Sequence, residues 1–284
     1  MLESCVSTTA SDLLLFMAKA TEIKATEIKA TEIFETVPSF GHCENAANTD
    51  PQAFEAVVRS RRSTRVYTSE AVPEEVMRQC LELTLLAPNS SNLQPWEFHW
   101  VRDAAKKAEL ARLCLQQPAA TTAQELVVCV ARLDTWNRNR KLMIDAMERS
   151  DRDIPESALS YYRKLVPLAY GQGPLAIFGP IKKLLFWLLA LRKPMPRGPA
   201  GKADMRVWAH KSTALGCQNL MLSLRAFGYD SCPMEGMDSS RVRKLLGLPR
   251  TAEICMVISA GKRAENGIYG DQIRFDSSLF LFEV

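Results

Sequence analysis

The stretch Arg61-Arg62-Ser63-Thr64-Arg65 packs guanidinium and hydroxyl groups into one short segment. In extended backbone alternate side chains share a face, which would set Arg61, Ser63 and Arg65 in a row about 7 Å apart. Two guanidinium groups flanking a hydroxyl make a cradle for a phosphate and whatever the phosphate carries, because their N–H forks match its oxygens. A solvated basic turn has the same composition, so this segment alone leaves both readings open.

Three further groups could complete such a site. Pro88-Asn89-Ser90-Ser91-Asn92-Leu93-Gln94-Pro95-Trp96 is stiffened by two prolines. Its amides offer donor and acceptor together, which suits the edge of a flat heterocycle, although Ser and Asn also cap and turn. Cys232-Pro233-Met234-Glu235-Gly236 would let backbone come close to a flat ligand. Lys262, Arg263 and Arg274 supply cations near the C-terminus.

Other chemistries are poorly provided for. There is no G-x-S-x-G, H-E-x-x-H, Walker loop or strand-linked G-x-G-x-x-G. Of the histidines, His42 lies in an apparent extension, His99 in a strand and His210 in an apolar helix, where such residues are more often structural. No metal site and no side-chain catalyst is expected; a cofactor must carry the reaction. Net charge is only +4 and the basic residues are scattered, which argues against a nucleic-acid partner. Apolar residues make up 47% of the chain, enough to bury a core. The 8 cysteines show no C-x-x-C spacing and several sit in apolar runs, so they read as buried free thiols of a reducing compartment. With no leader-like N-terminus and no spanning run, a cytoplasmic location is expected.

The elements that must position these groups follow in turn. Asp50-Pro51 opens a helix to about Ser60. Arg61 to Tyr67 is extended, and a second helix runs from Glu74 to Ala87. After the Pro88–Pro95 loop come a strand over Trp96–Val101, a helix over 104–116 and a buried strand at Leu126–Ala131. A long helix from Asp204 to Phe227, apolar on most faces, is expected to be buried in a core or at a subunit interface, with Gly228 ending it. Glu253–Ala260 is the last core strand. The apolar tail Phe275–Val284 suits the covering of a partner. The mixture without regular βαβ repetition indicates α+β.

Two segments stand apart. Residues 1–50 read as a poorly ordered extension containing KATEI three times in tandem, with Met17 as an alternative start. Residues 137–203 read as an insertion. Within it, Ile181–Lys193 holds a contiguous apolar run with basic flanks. Because that run leaves no obvious polar face, it reads as a helix packed over the active site or a partner. A membrane-surface helix is the alternative.

Taken together, R-R-S-T-R, S-S-N-L-Q-P-W, P-M-E-G and the L-G-L-P of Leu246–Pro249 resemble the FMN-dependent nitroreductase family, in its order and at fitting distances, from Phe54 to about Phe275. The resemblance implies a three-layer α-β-α fold with a mixed central sheet, in a domain-interleaved homodimer with FMN at the interface. It places Arg61 and Ser63 at the FMN phosphate, Arg65 at the ribityl chain or the N1/O2 edge, and Arg62 among the cofactor-binding residues. Ser90, Ser91 and Asn92 would reach the flavin of the other subunit, Glu235 and Gly236 would lie beside N5, and Pro233 and Met234 would also bind the cofactor. Arg274 falls where a second phosphate cation is expected, with Lys262 and Arg263 as rivals. One departure concerns Gln116-Gln117-Pro118-Ala119, where some members carry Asn and a basic residue; Gln117 would replace the Asn toward N3/O4, and the cation is missing.

The implied activity is ping-pong hydride transfer from NAD(P)H through flavin to a small electron-poor acceptor such as a nitroaromatic, quinone or activated alkene. Residues 137–203 would form the lid or substrate rim. The alternatives are a specialised flavin enzyme of the same fold, for reductive dehalogenation or flavin breakdown, and a flavin-binding protein without turnover.

Overall fold

The computed structural model describes residues 44–173, 178–192, 194 and 196–284. The KATEI repeats, Met17, Cys5, His42 and Cys43 lie outside the described residues. The elements are helices α1 (Pro51–Ser60) and α2 (Glu74–Thr84), strand β1 (Trp96–Trp100), helices α3 (Ala104–Leu113) and α4 (Pro118–Thr121), strand β2 (Glu125–Arg132), helices α5 (Trp136–Glu148), α6 (Glu156–Ser160), α7 (Val166–Tyr170), α8 (Phe178–Ala190) and α9 (Lys202–Ala226), strand β3 (Asp230–Met234), helix α10 (Ser239–Leu245) and strand β4 (Ala252–Gly261). They fall into two compact units: residues 47–136 with 203–284, and residues 137–202 together with 44–46.

In the first unit four strands form an antiparallel sheet in the order β1-β2-β4-β3. The expected mixed sheet is corrected in this respect. The parallel contact is a single bridge, Ser63 to Ser231. The chain from Arg61 leaves β3 after that one pair and makes its next bridge, Tyr67 to Arg263, antiparallel beyond the end of β4. It is too brief a pairing to make a fifth strand.

Strand β2 explains why Leu126–Ala131 has no polar residue. Leu126, Val128 and Val130 pack with Leu110 of α3, Ala120 of α4 and Val242 of α10. Val127 and Cys129 point the other way, to Met77 and Cys80 of α2 and Cys217, Leu220 and Leu224 of α9. Both faces of the strand are covered, so the period-2 alternation is apolar on apolar. Each such side chain contributes about 1.5–3 kcal/mol by burial.

Local chemistry sets several boundaries. Asp50 Oδ1 accepts from the backbone N–H groups of Gln52 (2.9 Å) and Ala53 (3.0 Å), and Pro51 takes the first helical position. Helix α2 stops at Thr84 rather than Ala87: the N–H groups of Leu85, Leu86 and Ala87 turn back three residues instead of four, to Glu82 (3.1 Å), Leu83 (3.2 Å) and Thr84 (3.3 Å), and Pro88 has no N–H to continue the ladder. Strand β3 carries Pro233, which its edge position tolerates. Helix α9 ends at the positive φ of Gly228.

Helix α9 is buried on one side, where Trp208, Gly216, Leu220 and Leu224 meet the core. Val207 and Leu215 on its other side are exposed in the single chain, so the core of one chain takes half of the helix. A Cβ on Gly216 would come within 2.7 Å of Phe98 Cζ and 3.5 Å of the Thr84 carbonyl. Gly216→Leu should therefore overpack the seam between α9 and β1, costing about 2–3 kcal/mol. A calorimetric scan should show Tm lowered by roughly 5–10 °C; an unchanged Tm would refute this packing.

In the second unit, Tyr161–Leu165 forms a π-helical turn between α6 and α7. Tyr161 and Tyr162 meet edge to face at 5.2 Å. Arg163 pairs with Glu148 at 2.6 Å. Lys182 of α8 is buried and its Nζ donates to the carbonyls of Ala169 (3.0 Å) and Gly171. Burial pulls that ammonium down to about 8.

Candidate functional site

The segment Arg61–Thr68 is stitched between the start of β3 and the chain that follows β4. Thr64 N–H donates to the Ser231 carbonyl (3.1 Å), Arg65 N–H to Gly267 (2.7 Å) and Thr68 N–H to Lys262 (2.9 Å); Ala264 N–H donates back to Val66 (3.1 Å). Thr64 is buried while Ser63 and Arg65 remain half-buried, as an extended run requires. Below the segment, Tyr67 Oη meets Ser259 Oγ at 2.9 Å.

The electrostatics of this corner are unbalanced. Burial pushes the Cys232 thiol up, and Arg65 and Arg61 oppose that shift, so both cations act on the same stretch of β3. Asp230 is the adjacent carboxylate, but it is already taken: Arg263 holds it through Nε (3.0 Å) and Nη2 (2.6 Å), and Arg225 through Nη1 (2.9 Å). Among the described residues, the guanidinium groups of Arg61 and Arg65 have no ion-pair partner. The Thr64 and Ser231 hydroxyls are buried without a hydrogen-bond partner. Two half-buried cations without counter-charge, the Ser63 hydroxyl and an orphaned hydroxyl across the bridge form a donor set suited to an anion with several acceptor oxygens.

The remaining candidates divide into three groups. Arg62 donates through Nη2 to the Gly270 carbonyl and so ties down the loop after β4. Arg263 sits beside Tyr67 but is engaged by Asp230. Arg274 lies in the exposed tail, its Nη1 on the Ile273 carbonyl.

Further along β3, Pro233 is half-buried, Met234 buried, and Glu235 and Gly236 exposed. Gln117 reaches them: its Nε2 donates to the carbonyls of Gly236 (2.8 Å) and Cys114 (3.0 Å). The phosphate-type cradle and the Gly236–Gln117 contact thus lie along one edge strand.

Ser90, Ser91 and Asn92 lie elsewhere. Their loop enters β1 at the opposite edge of the sheet, about 14 Å across at ordinary strand spacing. It is also at the other end of β2, where Arg132 N–H donates to the Pro95 carbonyl (2.9 Å). Asn89 organises the loop, its Oδ1 accepting from Gln94 N–H at 2.8 Å. The left-handed non-glycine residues among the described residues are Ser91, Asn92 and Gln94 in this loop, and Leu115 and Gln116 in the loop before Gln117. Such backbone costs about 1–3 kcal/mol each, persists only where the surrounding structure fixes it, and clusters at ligand clamps and active sites.

Sequence reasoning missed Asp230, Ser231 and Gly267, whose importance depends on partners far away in the chain. The two described histidines are each held by a carboxylate. His99 pairs with Glu97 (3.2 Å), and His210, raised by the Cys255 thiol and by Glu253, pairs with that carboxylate at 3.0 Å. Among the described residues no cluster of His, Cys, Asp or Glu could hold a metal ion, and the described cysteines are free.

The sequence profile of the nitroreductase family matches residues 58–262, which span the cradle, both strained loops and all four strands. The chain belongs to the nitroreductase family. It is an oxidoreductase. An NADH dehydrogenase of Thermus thermophilus is 30% identical over 207 residues, covering 73% of this chain and 85% of the relative. Among solved structures, the nitroreductase-like ydfN of Bacillus subtilis superposes with a TM-score of 0.67 at 20% identity, covering 82% of this chain and 99% of that one. A nitroreductase-type structure in complex with FMN, from Exiguobacterium sibiricum, gives a TM-score of 0.61 at 22% identity, covering 85% and 100%. For a nitroreductase family member, the uncompensated cations against β3 are the feature to be explained.

Proposed function

We propose that this chain binds FMN along β3 and uses NAD(P)H to reduce a small electron-poor acceptor. The observation that carries this reading is the cation pair Arg61 and Arg65, half-buried, without counter-charge and beside orphaned hydroxyls. FMN would supply hydride transfer at its N5. Arg61 and Ser63 would hold the phosphate, and Arg62 would brace the neighbouring loop. Asp230 keeps Arg263 oriented at the same corner. Arg65 would stabilise negative charge on the reduced ring edge. Gln117 has committed its Nε2 to two carbonyls, so its Oε1 is the group presented to a ring N–H. Pro233 to Gly236 bring backbone close to the ring.

The site is shared between two copies. Ser90, Ser91 and Asn92 sit at the opposite corner of the sheet from the cradle of their own chain, and would complete the partner's site. An unpartnered apolar groove lined by Phe54, Val57, Leu83 and Leu222, together with the exposed apolar tail, supports a domain-interleaved homodimer. Arg274, in that tail, would supply its phosphate cation to the partner. Helices against both faces of the sheet support the three-layer arrangement. The free buried thiols suit the cytoplasm.

The test is an absorption spectrum before and after NADPH without oxygen. Flavin bands that bleach on addition are expected. A flavin that stays oxidised with both NADPH and NADH would favour a binding protein without turnover. A colourless protein that FMN cannot reconstitute would overturn the proposal.

A further inference from the structure

Helix α8 presents a face that the function above does not use. Ile181, Leu184, Trp187, Leu188 and Leu191 are exposed, at 38%, 59%, 53%, 49% and 67%. At 100° per residue they occupy one arc of about 120°. The same geometry sets Lys183 on one border of the arc and Arg192 on the other, about 40° and 20° beyond its ends. Both are exposed. The contiguous apolar run is therefore split: Leu185, Phe186, Leu189 and Ala190 are half-buried, and the polar border missing from a linear reading appears on the helix surface. The turn after α8 continues the spiral through Leu191 and Arg192, whose N–H groups donate to the carbonyls of Leu188 (3.4 Å) and Leu189 (3.1 Å).

We propose that this face docks the protein peripherally on an anionic lipid bilayer. Charge complementarity selects this occupant. From residue 157 to residue 203 the sequence contains eight Lys and Arg and no Asp or Glu, whereas the whole chain is only +4; setting aside buried Lys182 and Arg163, which Glu148 neutralises, six cations remain for an anionic surface. An apolar arc with cations on both borders and an exposed Trp inside it is the pattern of a helix lying in the headgroup region. The arc itself distinguishes a bilayer from a nucleic acid, which offers no apolar phase. The 13 residues of α8 span only about 20 Å, and no helix among the described residues is long and apolar enough to cross a membrane, so the contact is superficial. The inner leaflet of a cell membrane provides the anionic surface.

Flotation of the full-length protein with phosphatidylcholine vesicles, with and without one quarter phosphatidylglycerol, tests this. Binding to the anionic vesicles and its reduction by salt are expected. Leu184→Glu/Leu188→Glu should abolish it. Lys183→Glu/Arg192→Glu should weaken it more than 10-fold, since each cation near an anionic surface contributes roughly fivefold. All four positions are exposed, and circular dichroism confirms that the variants fold. The proposal fails if wild type stays with the soluble fraction, if neutral vesicles bind it equally, or if the Leu184→Glu/Leu188→Glu variant still floats. It also fails if that variant changes only the sedimentation mass, which would make the face a contact between copies. None of these readouts requires bound flavin or turnover.

Discussion

Arg61→Ala should purify folded but largely without flavin. The residue is half-buried at the C-terminal cap of α1, where its backbone N–H closes on Val57 and its side chain has no partner among the described residues. The substitution therefore removes no hydrogen bond or ion pair from the fold; it removes only the packing of the stem and everything the guanidinium offers to a phosphate. A hydrogen bond to a charged group contributes about 1.5–3 kcal/mol, and a bidentate contact lies at the top of that range, so FMN affinity should fall on the order of 100-fold. Fluorescence titration of the stripped protein measures it. Arg61→Lys should recover only part of the loss, because a point charge cannot reproduce the planar fork. If Arg61→Ala retains wild-type affinity, the phosphate lies elsewhere and the reading of the corner collapses.

Gly267→Ala is expected to damage the same corner through the backbone. A Cβ there would lie 2.6 Å from the Val66 carbonyl oxygen, 2.9 Å from that of Ala264 and 2.9 Å from Arg263 Cγ. Two of these atoms are main chain and cannot turn aside. Gly267 also accepts the 2.7 Å hydrogen bond from Arg65 N–H, so relief of the clash pushes the loop away from the segment that carries the cations. The expected cost is about 2–3 kcal/mol, seen as a Tm lowered by several degrees together with FMN binding weakened about 10-fold or more. Gly270→Ala is the control: a Cβ there meets nothing within 4 Å, and its carbonyl stays available to Arg62. Equal behaviour of the two variants would show that close approach at Gly267 does not shape the site.

Much of the molecule was legible in its sequence, for reasons local to each element. The Asp50-Pro51 cap and the buried run of β2 depend on neighbours within a few residues, so residue type alone locates them. The R-R-S-T-R segment and the Pro88–Pro95 loop stand out in the sequence because their polar side chains are dense and adjacent in the chain. Strand β3 and helix α10 do not. The first holds a proline that only an edge position permits, and the second is a 7-residue helix, too short for a periodic signal.

Other features were decided by tertiary structure. That Arg263 binds Asp230 while Arg61 and Arg65 remain uncompensated follows from the pairing of β3 with β4 and from the bridge at Ser231, which joins residues 168 positions apart. Gly267 acquires its role only because the chain after β4 returns to Arg65. The opposite placement of the Ser90–Asn92 loop and the cradle follows from strand order. Chemical identity is written residue by residue and is local. Which charges cancel, which glycine is crowded and which face of α8 meets solvent are set by contacts between segments remote in sequence, and these exist only once the sheet has chosen its register.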